Sequence, residues 1–272
     1  MGNLPRRVGE GDAAVSERGE WFEAFFGGLY GRVLAKAFTP ERTLQQAAVV
    51  RRLLRLRKGQ RVLDIPCGMG RLTVPLAKAG LAMTGVDLMG GYLRCARRAA
   101  AAQGASARFV QCDMRRIEFD GEFDAAFNWF TSIGYFNDED ELAFCRRILR
   151  ALKPGGRFLV ETLNKSWLLP RFIPRGRQTV GGVDVTHHNR FDPATGRTTD
   201  AWTFRRGQKV ERHRISLRLY DGAEMRRLLT AAGFRDIRLY ATPSPGQRTP
   251  PGPLTRHSRR LIAVGRRPAE GR

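Results

Sequence analysis

The sequence has no apolar run approaching the roughly 20 residues that a bilayer-spanning helix requires, so a helical membrane protein is not expected. Met1 to Glu10 has no apolar stretch behind its Arg pair, and Arg6 stands where a myristoylation signal needs Ser or Thr. A cytoplasmic protein is therefore expected. Cysteine is scarce: Cys67, Cys95, Cys112 and Cys145 form neither a C-x-x-C pair nor a disulfide-like framework, and read as free thiols in a reducing compartment. No His, Cys and Asp residues share metal-ligand spacing, so no metal is expected. Lysine is nearly absent, with 6 against 42 arginines. The arginines are scattered without a block of five or six like charges, so the net charge of +22 reads first as a solvated basic surface, with a nucleic-acid partner possible but not favoured. Missing too are the G-x-S-x-G elbow of hydrolases, a complete dinucleotide-binding G-x-G-x-x-G and a P-loop.

What is present is the composition of a globular protein, 42% hydrophobic and 27% charged over 272 residues. The pattern predicts a loose tail over 1–19 and one elaborated domain over 20–272. Trp21, Phe22, Phe25, Phe26, Leu29 and Tyr30 recur at helical spacing, broken by Gly27-Gly28, which predicts two short helices hinged at the glycines. With a third helix after Pro40 they make an N-terminal helical lid over 20–57. Short apolar runs at Arg61–Ile65, Ala82–Asp87, Ala107–Gln111, Phe123–Asn128 and Arg157–Thr162 predict buried strands. Leu72–Ala79, Tyr92–Gln103 and Glu139–Leu152 fit the helices between them. Such alternation predicts a doubly wound α/β, Rossmann-like sheet. Over 178–220 it gives way to three strand-like stretches, Gln178–Arg190, Thr198–Arg205 and Lys209–Tyr220, expected to form an antiparallel β insertion. A helix over Asp221–Ala232 and strands at Phe234–Ala241 and Arg260–Arg266 complete about seven strands in the main sheet.

The chemistry concentrates at strand ends. Val62-Leu-Asp-Ile-Pro-Cys-Gly-Met-Gly-Arg71 is a buried strand closing on Asp64 and then a Gly68-x-Gly70 turn, which lets backbone approach a ligand closely. A carboxylate just before that turn repels a diphosphate and suits an ammonium group. Asp87 ends the second strand, where it can accept both hydroxyls of a ribose. Asp113 follows the third strand, where it can accept from an adenine amine while Met114 packs on the ring. Three acids and a glycine turn describe a pocket for an adenosine with a cationic amino-acid arm and no phosphate, and S-adenosylmethionine fits that description.

These segments resemble the motifs of class I S-adenosylmethionine-dependent methyltransferases. Phe123-Asp-Ala-Ala-Phe-Asn128 is similar to their fourth strand and Leu152-Lys-Pro-Gly-Gly-Arg-Phe158 to the turn into the fifth. The resemblance spans about Gln60 to Glu161 plus the closing helix and strands. It implies that S-adenosylmethionine is held by Asp64, Pro66, Gly68, Gly70, Asp87, Leu88, Asp113, Met114 and Asn128. More narrowly, Leu29-Tyr30, Ser132-Ile-Gly-Tyr135 and the antiparallel insertion resemble small-molecule N-methyltransferases of the amino-sugar type. There a tyrosine of the N-terminal segment and a histidine after Ser-Ile-Gly stand near the methyl acceptor. Tyr135 replaces that histidine here, which leaves oxygen open beside nitrogen as the acceptor atom.

The implied reaction is methyl transfer to nitrogen or oxygen of a small metabolite, with Tyr30, Tyr135 and His188 as candidates to orient the acceptor. His187 and His188 alternate on a strand, so only one can face the site. One rival is an RNA or other nucleic-acid methyltransferase exploiting the basic surface; against it, Asn128 is followed by Trp-Phe-Thr rather than Pro-Pro and an aromatic. The other is a cofactor-binding protein without turnover. A homodimer through the antiparallel insertion is also expected.

Overall fold

The computed structural model describes residues 21–36, 38–242 and 251–269, so the expected tail over 1–19 lies outside it. Three helices come first: α1 (Trp21–Gly27), α2 (Tyr30–Lys36) and α3 (Pro40–Leu54). Pro40 opens α3 with its ring at a position that needs no amide, and the Thr39 hydroxyl accepts from Arg42 N at 3.2 Å. Strands and helices then alternate: β1 (Arg61–Asp64), α4 (Thr73–Lys78), β2 (Ala82–Asp87), α5 (Gly90–Ala102), β3 (Ala107–Gln111), β4 (Phe123–Asn128), α6 (Asp138–Ala151) and β5 (Leu152–Leu163). After a short α7 (Lys165–Leu168) come β6 (Arg175–Val180), β7 (Val183–Asp192), β8 (Arg197–Arg206) and β9 (Lys209–Arg218). Helix α8 (Gly222–Ala231) and strands β10 (Arg235–Ala241) and β11 (Arg260–Arg266) complete the described chain.

The main sheet has seven strands in the order β10-β11-β5-β4-β1-β2-β3. Strands β1 to β5 run parallel, while β11 is antiparallel to both β5 and β10. Helices cover both faces, which is why these strands read as unbroken apolar runs. Alternate residues divide between two cores. Leu63, Ala126, Phe158, Val160 and Leu261 pack against α6 and α8, whereas Val62, Ala125, Phe127, Leu159 and Ile262 pack against α3 and α4. The strand order reverses between β1 and β4, so the carboxyl ends of β1 and β2 open onto a crevice there.

The second sheet has four antiparallel strands in the order β6-β7-β8-β9, one more than the pattern predicts. Gly181 and Gly182, with φ of 59° and 72°, turn the expected single stretch Gln178–Arg190 into a two-residue hairpin. Both residues sit in the left-handed region, which favours glycine. The inner face of this sheet meets the N-terminal helices: Val183, Val185, Phe204 and Ile215 bury Phe25, Leu29 and Val33 in a third core. The Gly27-Gly28 break is pinned on both sides. Leu29 N donates to Glu211 Oε2 at 2.6 Å and Tyr92 Oη to Phe26 O at 2.6 Å. A Cβ at Gly28 would overlap the Glu211 carboxylate, so close approach of β9 adds a packing reason for glycine there. No described helix is long and apolar enough to cross a membrane.

Candidate functional site

Where β1 ends, Asp64 is buried and accepts from Thr73 Oγ1 at 2.6 Å. Burial pushes its carboxyl up to about 7, against the Thr73 hydroxyl and the nearby Arg71 guanidinium, which favour the ion. A carboxylate so strained by desolvation gains from a cationic ligand. The chain then turns through Gly68 and Gly70, with φ of 55° and 75°. Nothing lies within 4 Å of a Cβ placed on Gly68, whereas one on Gly70 would sit 2.9 Å from Ala96 Cβ. The first glycine therefore leaves open space against bare backbone, and the second lets the turn pack on α5.

At the end of β2, Asp87 does more than sequence reading assigns to it. Its Oδ2 accepts from Gly68 N at 2.7 Å and its Oδ1 from Met89 N at 2.8 Å, so it ties the glycine turn to the next strand. Burial raises its pKa although those amides oppose the rise. Each oxygen keeps a second lone pair for a ligand hydroxyl. After β3, Asp113 caps a short 3₁₀ turn through Arg115 N and pairs with Arg115 Nη2 at 2.6 Å. Burial works against its charge, but the bonds from Arg115 outweigh burial and hold the carboxyl below its usual range. Met114 is buried beside it.

Asp64, Pro66, Gly68, Gly70, Asp87, Leu88, Asp113 and Met114 all line one cavity of about 1940 Å³. Asn128 does not. It is buried in β4 with Nδ2 donating to Ile65 O at 2.9 Å, so it holds the β1 end in place behind the cavity wall. The volume is about twice the upper end for a single small-ligand pocket, roughly 1,000 Å³, and has room for two molecules side by side.

Beyond the acids the cavity becomes aromatic. Tyr30 at the start of α2 stacks on Phe25 at 4.1 Å and stands 6.4 Å from Trp202 of β8, ring centre to ring centre. Tyr135 packs against Trp21 at 5.0 Å and Phe22 at 6.2 Å. Burial pushes the Tyr30 phenol up to about 12, with Arg260 opposing, and raises that of Tyr135 further. Both are protonated at neutral pH, which suits them to donate a hydrogen bond rather than to serve as bases. The loop carrying Tyr135 is fixed from both sides. Glu141 accepts from Gly134 N at 2.6 Å, while Arg197 of β8 donates to Phe136 O at 2.8 Å and Gly134 O at 3.2 Å.

His188 is not in this cavity. It lies on the opposite face of the four-stranded sheet, beside Arg175, Arg190 and Arg214. Its neighbour His187 turns to the inner face and stacks on Trp202 at 5.4 Å, so the two alternate as expected but neither lines the cavity.

Several lining residues escaped the sequence reading. Asp200 and Trp202 reach the cavity from the insertion, and Glu161 reaches it from β5. Asp200 accepts from Thr198 Oγ1 at 3.1 Å, its Oδ1 has no partner among the described residues, and burial raises its carboxyl to about 6. Glu161 accepts from Phe130 N at 2.9 Å and pairs with Arg260 Nη2 at 2.6 Å. These bonds hold Phe130 and Thr131, whose φ of 69° and 61° is costly for residues with a Cβ. No motif announces such positions, because each becomes a neighbour of the site only through strand pairing far along the chain.

Comparison with known proteins agrees with this geometry. Residues 62–156 match a family model described as a methyltransferase domain. A ubiquinone biosynthesis O-methyltransferase of Idiomarina loihiensis is 36% identical over 142 residues, covering 49% of this chain and 56% of the relative. The chain spans about half the length of the curated relatives it matches. Among solved structures, the CcbJ methyltransferase of Streptomyces caelestis is 19% identical with a TM-score of 0.72, covering 92% of this chain and 98% of that one. The sugar N-methyltransferase KedS8 of Streptoalloteichus is 20% identical with a TM-score of 0.57, covering 97% and 100%. The likeness to the two solved structures shows the fold: a Rossmann-like methyltransferase sheet with an added antiparallel sheet. Residues 62–156 are thus similar in sequence to a methyltransferase domain.

Proposed function

We propose that the protein transfers a methyl group from S-adenosylmethionine to a nitrogen or oxygen of a small-molecule acceptor. The observation that carries this reading is the single cavity joining the acids of β1, β2 and β3 to the aromatic surface of α1, α2 and the insertion. One end has what an adenosine with an amino-acid arm needs: a desolvated carboxylate at Asp64, open backbone at Gly68, and a free lone pair on each oxygen of Asp87. The cofactor supplies an electrophilic methyl group on a sulfonium, so the chain needs only to align the acceptor and exclude water. Trp21, Phe26 and Trp202 wall off solvent, and aromatic faces suit a nearby cation. Tyr30 and Tyr135, held protonated by burial, orient the acceptor by donating hydrogen bonds. Asp200 is the ionised acid on the insertion side and can take a proton from an acceptor that arrives protonated.

Two measurements test the reading. Calorimetric titration with S-adenosylhomocysteine should show binding that Asp87→Ala abolishes. A metabolite screen with S-adenosylmethionine should then find an acceptor that gains the mass of one methyl. Binding without any such gain would leave a cofactor-binding protein, and methylation of RNA in place of small molecules would reassign the acceptor class.

A further inference from the structure

We propose that the outer face of the four-stranded sheet is a docking surface for the phosphate backbone of a nucleic-acid strand. Residues in register across antiparallel strands share a face. One row from β6 to β9 reads Arg175, His188, Ala201, Arg214. The next reads Arg177, Thr186, Thr203, Arg212, and on the other side stand Arg190, Thr199 and Ser216. The five arginines are all exposed. Among the described residues none of them forms an ion pair or donates a side-chain hydrogen bond, whereas Arg61, Arg150 and Arg260 elsewhere are paired. The acids that flank these rows on β7, Asp184 and Asp192, are engaged by Thr179 Oγ1 at 2.6 Å and Thr195 Oγ1 at 2.7 Å.

The face is shaped as well as charged. Arg175, His188, Arg190 and Arg214 surround Thr199 and the small Ala201 in a concavity of about 700 Å³. Arginines on β6 and β9 flank a floor of hydroxyls and one methyl, about 14 Å apart at three strand spacings of ~4.8 Å. Guanidinium forks and hydroxyls are the groups that contact phosphate oxygens. Apart from the His188 imidazole the rows carry no aromatic or large apolar side chain, so neither a run of stacked bases nor insertion into a lipid surface is provided for. Binding should therefore be electrostatic and independent of sequence. Because this face is the reverse of the one bearing Asp200 and Trp202, the docked strand is not the methyl acceptor. The proposal stands apart from the methyl-transfer reading.

The test is fluorescence anisotropy with a labelled oligouridylate about 20 nucleotides long, titrated at several salt concentrations. The triple variant Arg175→Ser, Arg190→Ser, Arg214→Ser should bind about 30-fold or more weakly, and its slope of log affinity against log salt should fall by about 2, near 0.7 for each lost contact. A control triple, Arg51→Ser, Arg52→Ser, Arg57→Ser, removes equal charge from α3 and the segment after it and should stay within about threefold of wild type. The conservative triple with lysine at 175, 190 and 214 should recover most of the binding. Retained melting temperature and S-adenosylhomocysteine affinity in the serine triple show that it is folded. Equal weakening by both triples would reduce the effect to general charge and overturn the proposal. So would no binding by wild type, or displacement of the oligonucleotide by phosphatidylserine vesicles or a polyglutamate peptide at equal charge concentration.

Discussion

The seven-stranded and four-stranded sheets use their faces in opposite ways. In the first, both faces are covered by helices, and successive residues such as Leu63 and Val62 feed two separate apolar cores. In the second, the inner face is part core and part cavity wall, and the outer face carries exposed arginines. The first sheet holds a site made from strand ends close together in sequence. The second completes a site whose other members, among them Tyr30, Asp64, Asp87 and Tyr135, lie at distant points along the chain. Cofactor recognition can therefore be local while acceptor recognition is assembled, and changes in the two sheets should separate the two.

The largest effect is expected at the end of β2. Asp87→Ala should lower S-adenosylhomocysteine affinity by a hundredfold or more, since each charge-assisted hydrogen bond to a ribose hydroxyl is worth about 1.5 to 3 kcal/mol, and the tether to Gly68 N is lost as well. Calorimetry checks it, and an unchanged affinity in a folded variant would erase the division between the sheets.

Asp64 should show a conflict between stability and binding. Its folded-state pKa is raised to about 7 by burial, so the ionised carboxylate costs stability above that pH and the cost disappears as pH falls below the unfolded value near 4. Asp64→Asn should then stabilise the cofactor-free protein at pH 8 by about 2 to 4 kcal/mol, taking 1.4 kcal/mol per unit, with no gain at pH 4. The same variant should lose cofactor affinity. Denaturant melts at the two pH values measure the first effect and calorimetry the second.

On the acceptor side, Tyr30→Phe should lower turnover about tenfold, near 1.4 kcal/mol for one neutral hydrogen bond, while cofactor affinity stays within twofold. Equal turnover with the acceptor found by the screen would return Tyr30 to the core. The smallest effect belongs to the hairpin that separates β6 from β7. Gly181→Ala forces a side chain into φ near 59° and should cost about 1 kcal/mol, read as a lower thermal midpoint with cofactor affinity unchanged.

The insertion cannot be removed as a detachable cover, although its place between β5 and α8 suggests one. Arg197 holds the carbonyls of Gly134 and Phe136, and Val185 and Phe204 bury Phe25 and Leu29. Excising it would release Tyr135 and unpack the N-terminal helices together. The Gly27-Gly28 break teaches the same lesson. It reads as a hinge along the chain, but Glu211 and Tyr92 pin the backbone on either side.

What the sequence determined by itself was the parallel sheet and the cofactor end. Strands buried on both faces must be apolar throughout, and four of the expected strands, Ala82–Asp87, Ala107–Gln111, Phe123–Asn128 and Arg260–Arg266, coincide with the structure residue for residue. The acids and glycines at their ends are legible because a strand end and the turn after it are consecutive in the chain. Tertiary structure alone decided that Asn128 lies behind the wall, that His188 faces outward, that Asp200 and Trp202 line the cavity, and that five scattered arginines share one face. The physical reason is register. Periodicity tells which residues of a strand share a side, but only pairing with remote strands and packing against α1 and α2 fixes which side meets the cavity and which meets water.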